Sequence, residues 1–388
     1  MDLVILCGGR GTRLKKITKY VPKPLLKIEK TSFLKTIINF YQKYNFNKIY
    51  LLAGFKGNKI KKEFHNKYFN SIKCEVLIEK KLQGTGGSLL KLKKKIKNNF
   101  LLVNGDSYIS YDLLEFLKPH KNSDFKILLV KNKNYKENSK LINLDLDSNK
   151  NLIFKKKSNK FNAGVYLLSN KIFHYIKKNC SLENNVIANL IYKKKIKGQL
   201  STGYFIDIGI KKNLILARKT LKNEIKKPAI FFDRDGVLNH DYGYVGTYER
   251  YKWSNNAVNA LKFINKKNYY IFIVTNQSGI GRGYYSEKDF HNLNCKIKKY
   301  LQKKGVFIND ILFCPHHPLK AKGKYKIRCN CRKPNIGMIN KIKKNWVIDL
   351  KRSFFIGDKK TDLNTAKKSN IKFYYAQKNL LKQIGKLI

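Results

Sequence analysis

The sequence predicts an α/β protein built of two doubly wound units. Three observations predict it. Short apolar runs, each about one strand long, recur along the chain and are separated by Lys-rich amphipathic segments. Glycines, amides or carboxylates follow directly on several of those runs, and open α/β sheets bind their ligands beyond the carboxyl ends of their strands. A length of 388 residues also exceeds what one core usually organises, so two or three domains are expected.

The elements follow in order. Residues 2–7 form an apolar strand that runs into the loop Gly8-Gly9-Arg10-Gly11. Further strands are expected over 48–53, 75–79, 100–104, 126–130 and 164–168, with an amphipathic helix over 32–44. The Lys/Asn-rich stretch 131–160 reads as loops with some strand character. After Lys226-Lys227-Pro228 a second unit begins, with strands at 229–232, 270–274 and 353–356. Strands alternating with helices argue for mostly parallel sheets covered on both faces. The expected domains are 1–222 and 228–388, and no internal repeat is found.

Composition bounds the function. The formal net charge is +58, and 74 of the 83 basic residues are Lys against nine Arg. The Lys excess accompanies abundant Asn, Ile, Phe and Tyr, all encoded by A/T-rich codons, so genome composition competes with function as its cause. Specific readers of DNA rely on Arg at base edges, and Arg is scarce, so no specific nucleic-acid partner is expected. The charge still draws phosphorylated anions and RNA nonspecifically at low salt. No apolar run approaches the roughly 18 residues of a membrane helix. The start Met1-Asp2-Leu3-Val4 does not resemble a signal peptide. A cytoplasmic protein with no membrane partner is expected; its oligomeric state is not legible. Cys7, Cys74, Cys180 and Cys295 are scattered and form no disulfide framework.

The other three cysteines are different. Cys314, His316, Cys329 and Cys331 stand at C-x-H-x12-C-x-C spacing. Three thiols and one imidazole make a closed tetrahedral set suited to structural Zn²⁺. This segment lies between Asp233-Arg234-Asp235-Gly236 and Gly357-Asp358-Lys359-Lys360-Thr361-Asp362. In a D-x-D loop after a strand, one carboxylate can attack phosphorus and the other can protonate the leaving oxygen. Asp358 can hold Mg²⁺ against nucleophile and phosphate. Lys333 offers fixed positive charge, and Thr275 a hydroxyl. A lone D-x-D is weak evidence; the ordered set with T-N-Q-S-G and R-K-P is strong.

This set resembles the haloacid dehalogenase phosphatases. Asp241-x-Gly243-Tyr244-Val245, Thr275-Asn276-Gln277-Ser278-Gly279-Ile280-Gly281-Arg282-Gly283 and the Cys/His loop resemble the D-glycero-D-manno-heptose 1,7-bisphosphate 7-phosphatases in particular. The resemblance covers about residues 228–388. It implies Asp233 as nucleophile, Asp235 as acid/base, and Mg²⁺ on Asp233, Asp358 and the backbone carbonyl of Asp235. Asn276, Gln277, Ser278, Arg332 and Lys333 would line the substrate pocket, with Lys359 nearby. Histidinol-phosphate phosphatases are close relatives, typically with a shorter insert than the twelve residues between His316 and Cys329. Val237 stands where many relatives have Thr.

In the first half, Gly8-Gly9-Arg10-Gly11-Thr12-Arg13 follows a strand, and Pro22-Lys23-Pro24-Leu25 comes ten residues after Arg13. Glycines let backbone N–H groups approach phosphates, and Arg13 and Lys23 add charge. The loop has neither the G-K-[ST] of a Walker loop nor G-x-G-x-x-G spacing. It resembles that of sugar-1-phosphate nucleotidylyltransferases, as do, in order, Gly84-Thr85-Gly86-Gly87, Asn104-Gly105-Asp106, Asn162-Ala163-Gly164 and Ile206-Asp207-Ile208-Gly209. The resemblance covers about residues 1–220. It implies a Rossmann-like nucleotidyltransferase domain. Gly8, Gly9, Gly11, Thr12, Gly84 and Thr85 would bind a nucleoside triphosphate, Asn162 and Lys157 the sugar phosphate, and Asp106 and Asp207 Mg²⁺. The Glu that often precedes the family's Lys is absent near Lys157, and Leu82-Gln83 replaces a common Pro-Leu.

Together the resemblances imply a bifunctional enzyme that removes the 7-phosphate of a heptose bisphosphate and joins the heptose 1-phosphate to a nucleotide. GTP is the nucleotide of the family member that uses this product, giving GDP-heptose. The motifs alone do not separate G from U, T or C. Hexose 1-phosphates such as mannose or glucose 1-phosphate, and histidinol phosphate, stay open as substrates. The remote alternative is a basic nucleic-acid-binding protein on enzyme folds, against which the intact carboxylates speak.

Overall fold

The computed structural model describes residues 1–119, 123–131 and 142–388. It divides into two compact units. One comprises Met1–Ile37, Phe46–Lys67 and Lys73–Glu224; the other comprises Ile38–Asn45, Tyr68–Ile72 and Ile225–Ile388.

In the first unit, parallel strands Ile72–Ile78, Lys48–Ala53, Asp2–Cys7 and Phe100–Asn104 lie side by side in that order. The chain steps outward from its first strand and then returns to the first strand's other side. Such a reversal opens a crevice beyond the strand ends, between the loops that follow Cys7 and Asn104. Leu3, Val4 and Ile5 are fully buried, as a strand covered on both faces requires.

Beyond Phe100–Asn104 the sheet departs from the mostly parallel expectation. Lys160–Leu168 runs antiparallel to it, and Ile142–Leu146 and Leu152–Phe154 extend the antiparallel part. Phe125–Lys131 pairs antiparallel with Lys160–Leu168 and parallel with Ile196–Ser201. Short links close only antiparallel pairs. The turn between Ile142–Leu146 and Leu152–Phe154 is such a link, with Asp147 Oδ1 accepting from the backbone N–H groups of Asn149 and Asn151 at 2.9 and 2.8 Å.

The strands expected at 2–7, 48–53, 100–104 and 229–232 form as Asp2–Cys7, Lys48–Ala53, Phe100–Asn104 and Ala229–Phe232. Others move at their edges: 75–79 becomes Ile72–Ile78, 126–130 becomes Phe125–Lys131, and 164–168 reaches back to Lys160. The helix expected over 32–44 is Phe33–Tyr41. The part of the 131–160 expectation at 132–141 lies outside the described residues.

In the second unit, five parallel strands stand in the order Asp310–Cys314, Tyr270–Asn276, Ala229–Phe232, Phe354–Gly357, Lys372–Tyr375. The expected 270–274 lengthens to Tyr270–Asn276, and 353–356 shifts to Phe354–Gly357. Alternate residues point to opposite faces. Ile230 and Phe232 enter a core with Leu261, Ile264, Phe290 and Ile297. Ala229 and Phe231 enter the opposite core with Met338, Ile339, Ile342 and Trp346. The strand reverses direction of winding between Ala229–Phe232 and Phe354–Gly357, so Asp233 and Asp358 emerge at the crevice.

Candidate functional sites

In the second unit, Asp233 sits directly beyond the central strand and is buried. The Lys333 ammonium lies 2.9 Å from Asp233 Oδ1 and 2.6 Å from Asp362 Oδ1, with 1% of its side chain exposed. Burial raises the Asp233 pKa to about 6; Lys333 opposes the shift and Asp362 adds to it. Lys333 is itself clasped through its backbone. Its N–H donates to Asn276 Oδ1 at 3.0 Å, and Asn276 Nδ2 donates to its carbonyl at 3.1 Å.

Asp235 is held by other donors. Arg234, with no exposed surface, donates from Nη2 to both Asp235 oxygens at 3.0 Å, to the Val245 carbonyl at 2.7 Å and to Gln277 Oε1 at 3.0 Å. Asn239 Nδ2 and Gln277 Nε2 donate to the same carboxylate at 2.9 and 2.7 Å. Gln277 Nε2 also donates to the buried Thr275 hydroxyl at 2.8 Å. Gly236, at φ +86°, is required here: a Cβ would stand 2.3 Å from Asp358 Oδ2.

A cleft of about 420 Å³ gathers Asp233, Asp235, Thr275, Asn276, Gln277, Ser278, Arg332, Lys333 and Lys359, the catalytic and substrate-pocket residues expected of the second half; the expected metal ligands Asp358, Cys314, His316, Cys329 and Cys331 do not line it. Oxygens of Asp233, Asp358 and Asp362 lie within 4.8 Å of one another. Asp358 Oδ1 is buried with no hydrogen-bond partner, and burial raises the Asp358 pKa. An orphaned carboxylate oxygen in an acidic cluster fits a hard divalent cation such as Mg²⁺. Because the Asp235 carboxylate is committed to Arg234, Asn239 and Gln277, only its backbone carbonyl is free to join such a site.

Cys314, His316, Cys329 and Cys331 converge. Cys331 Sγ lies 3.2 Å from Cys314 Sγ, 3.3 Å from Cys329 Sγ and 3.4 Å from His316 Nδ1. None is in a disulfide. A Cys₃His set this close fits a tetrahedral soft-ligand site. His317 takes no part: its Nδ1 accepts from the N–H groups of Leu319 and Lys320 at 3.2 and 3.0 Å, closing a turn.

In the first unit, Ser107–Ile109 and Phe205–Asp207 form a two-stranded pair in which Asp207 faces Ser107. This brings Asp106 and Asp207 together, with Ser107 Oγ donating to Asp207 Oδ2 at 3.1 Å. The Lys23 ammonium lies 2.5 Å from Asp106 Oδ2. Burial acts to lower the Lys23 pKa, but Asp106 and Asp207 outweigh it and raise it. Burial, then the Asp106 charge, raises the Asp207 pKa to about 6 against the pull of Lys23. Arg13 stands beside Gly209, where a Cβ would meet Asp207 Oδ1 at 2.5 Å and Arg13 Nη2 at 3.1 Å. Two carboxylates sharing a site fit a divalent cation.

The other residues of that half spread outward. Gly9, Thr12 and Arg13 are exposed on the first loop, and Gly11 turns it at φ +66°. Gly8 lies against Glu79. Gly84 and Gly86 pack on the Cys180 segment, where a Cβ would come within 2.3 Å of the Cys180 carbonyl oxygen and 2.6 Å of its sulfur. Asn162 donates to the Tyr166 hydroxyl at 2.5 Å, within an irregularity of the Lys160–Leu168 strand. Lys157 is exposed at a turn, and among the described residues no hydrogen bond or ion pair joins it to Asn162 or Asp106.

Sequence reasoning gave no role to two residues. Asp362 completes the acidic cluster; its signal was its position four residues after Asp358, at the start of helix Lys360–Lys368. Glu183 links two expected pieces: it accepts from Thr85 Oγ1 at 2.6 Å and from the Tyr166 hydroxyl at 3.4 Å. A lone Glu in Leu182-Glu183-Asn184-Asn185 carries no such signal.

Residues 3–224, over half of the chain, match the nucleotidyl transferase family model. The chain belongs to that family. Residues 228–380 match the model named polynucleotide kinase 3 phosphatase. A D-glycero-beta-D-manno-heptose-1,7-bisphosphate 7-phosphatase of Rhodopseudomonas palustris is 43% identical over 146 residues, 38% of this chain and 81% of that protein. A D-glycero-alpha-D-manno-heptose-1,7-bisphosphate 7-phosphatase of Photorhabdus laumondii is 40% identical over 149 residues, 38% and 80% of the two. The nucleotidyl transferase domain is thus joined to a phosphatase domain, and the chain is an enzyme. The crystal structure of HddC from Yersinia pseudotuberculosis is 27% identical, covering 57% of this chain and 99% of that one at a TM-score of 0.48. Among the described residues, no helix is long and apolar enough to cross a membrane.

Proposed function

We propose that this bifunctional enzyme dephosphorylates D-glycero-D-manno-heptose 1,7-bisphosphate at C7 and then couples the heptose 1-phosphate to GMP from GTP, releasing pyrophosphate and GDP-heptose. Residues 228–388 would carry the first step and residues 1–222 the second. The observation that carries the reading is the Lys333 ammonium held between Asp233 and Asp362 beyond the central strand. The names of the phosphatase relatives support the heptose bisphosphate, and both anomers occur among them.

In the phosphatase domain, Asp233 attacks phosphorus and the bond to the sugar oxygen breaks. Asp235 gives that oxygen a proton, then takes one from the water that hydrolyses the aspartyl phosphate. Lys333 and the Thr275 hydroxyl hold the phosphoryl oxygens. Asp233, Asp358, Asp362 and the Asp235 carbonyl would hold Mg²⁺, which neutralises charge on the transferring group. Zn²⁺ on Cys314, His316, Cys329 and Cys331 would be structural, since four protein ligands leave no open position.

In the nucleotidyltransferase domain no protein nucleophile is needed. The sugar-phosphate oxygen attacks the α-phosphorus in line, and the bond to pyrophosphate breaks. Arg13 and Lys23 neutralise the leaving group, Gly8, Gly9, Gly11 and Thr12 approach its phosphates, and Gly84 and Thr85 border the base. Asn162 and Lys157 orient the sugar phosphate. Asp106 and Asp207 would hold Mg²⁺, which would neutralise charge on the reacting phosphates.

A coupled assay tests the proposal. Protein, Mg²⁺ and each anomer of the bisphosphate are incubated with each nucleoside triphosphate, and phosphate, pyrophosphate and nucleotide-sugar are followed by mass spectrometry. Phosphate release followed by GDP-heptose is expected. A different nucleotide-heptose would correct the base alone, and no turnover of either anomer would sink the heptose reading.

A further inference from the structure

Glu183 has no part in the proposed reaction, yet it stands where two pieces of the nucleotidyltransferase site meet. Its Oε2 accepts from Thr85 Oγ1 at 2.6 Å and from Ser181 Oγ at 3.1 Å. Its Oε1 accepts from the Tyr166 hydroxyl at 3.4 Å. Tyr166 is fully buried, and its hydroxyl accepts in turn from Asn162 Nδ2 at 2.5 Å. One chain of hydrogen bonds thus runs from the loop assigned to the base to the residue assigned to the sugar phosphate.

Two backbone irregularities bring these groups together. The turn Leu182–Ile187 is a π-helix, with the Val186 N–H reaching the Ser181 carbonyl at 3.4 Å, and Ser181 Oγ accepts from the Asn184 N–H at 3.1 Å. Such turns are rare and are found mostly at functional sites. Lys160–Leu168 shifts register against Phe125–Lys131 between Asn162 and Tyr166, and an irregularity of this kind re-aims side chains. Gly164 lies inside it at φ +73°, where a Cβ would stand 2.6 Å from Asn104 Nδ2. The irregularity is therefore seated on the segment that carries Asp106.

A carboxylate at the centre of this chain fixes the direction of every bond in it, because ionised carboxylate oxygens only accept. The Thr85 hydroxyl donates its one proton to Glu183, and its lone pair takes the Leu182 N–H at 2.9 Å. Tyr166 does likewise. Burial, then the Glu183 charge, raises its pKa well above the usual 10, so the hydroxyl keeps its proton. With that proton donated to Glu183, Tyr166 can only accept from Asn162, and so it meets the amide's nitrogen and not its oxygen. Asn162 Oδ1 then accepts from the Gly164 N–H at 2.8 Å. The amide is held in one of its two orientations.

We propose that Glu183 is a positioning residue for nucleotidyl transfer: acting through Tyr166, it fixes the amide orientation with which Asn162 meets the sugar phosphate. The inference rests on the nucleotidyl-transfer reading given above. The base loop depends on Glu183 less, because the N–H groups of Gly86 and Gly87 also reach the Cys180 carbonyl at 3.0 and 3.2 Å. A change at Glu183 is therefore felt on the sugar side.

The test uses the full chain with Mg²⁺, GTP and heptose 1-phosphate, following pyrophosphate. Glu183→Gln keeps the shape but brings a donor, so Tyr166 can instead donate to Asn162 and turn its amide over. KM for heptose 1-phosphate is expected to rise about 10-fold, with KM for GTP changed less than about threefold. Tyr166→Phe is expected to give the same split, and the double variant no further loss, because both act through one chain of bonds. Melting temperatures are measured on all three variants to establish folding. Should wild type prefer another sugar 1-phosphate or nucleotide, the same constants are read on that pair. An unchanged KM for the sugar phosphate, an equal rise in both KM values, or losses that multiply in the double variant overturn the proposal while leaving the reading in place. Wild type that forms no nucleotide-sugar from any such pair overturns the reading beneath it.

Discussion

The two candidate sites differ in how much of each the protein completes by itself. In the phosphatase domain nearly every functional side chain is fixed by another: Asp235 by three donors, Lys333 by two carboxylates and Asn276. In the nucleotidyltransferase domain Lys23, Asp106, Ser107 and Asp207 form one such knot and Asn162, Tyr166, Glu183 and Thr85 a second, while Thr12, Arg13 and Lys157 are exposed. A preorganised site stabilises charge as it develops without reorganising. A site with exposed loops leaves part of its assembly to the substrate. The difference suits a small sugar phosphate in one case and a large, multiply charged triphosphate in the other.

Mutations sharpen this contrast, beginning with the largest effect. Asp233→Asn should lower phosphate release about 10⁴-fold or more, with nucleotidyl transfer retained; concurrent loss of both activities would show that the sites are not independent. Lys23→Ala should lower nucleotidyl transfer roughly 10²–10³-fold and leave phosphate release alone, measured as pyrophosphate formed per enzyme. If Lys23 serves only the fold, its melting temperature will fall in parallel. Removing the metal from the Cys/His loop by chelation should lower the melting temperature of the phosphatase domain by more than about 10 °C. A scan unchanged by chelation would contradict the zinc assignment.

The smallest effect is acid sensitivity. His291 is buried on helix Glu287–Lys303 beside Phe290 and Phe313, and burial lowers its pKa from 6.5 to about 4. The unfolded chain takes up this proton near pH 6.5, whereas the folded one refuses it until about pH 4. The contribution is therefore intact above pH 6.5 and is lost as pH falls toward 4. It amounts to about 3 kcal/mol at most. Urea unfolding at pH 7 and pH 5 should show a smaller pH difference in His291→Gln than in wild type.

Much of this was legible in the sequence, for a physical reason. Ala229–Phe232 and residues 100–103 are apolar throughout because both faces are buried, and such runs have sharp ends. Strand direction was not legible. Lys160–Leu168 has the same apolar character whether parallel or antiparallel, and its entry through Lys160, Phe161 and Asn162 resembles a loop. Motif residues of types suited to phosphate chemistry, in order along the chain, are visible in the sequence. Glu183 was not, because its role comes from meeting Thr85 and Tyr166 across 98 and 17 residues of chain. In the sequence Arg282 is legible only as part of a Gly-rich motif, because Tyr244, whose ring it stacks over, lies on a different loop.

The shielding of Lys333 has a practical consequence. Seventy-four lysines invite any amine-directed reagent, yet the Lys333 side chain is 1% exposed and that of Lys23 9%. Acylating or immobilising reagents will therefore exhaust themselves on the outer lysines first. The coat of charge that governs how this protein sticks, precipitates and elutes can be stripped chemically, while the ammonium groups of Lys333 and Lys23, held against buried carboxylates, are reached last.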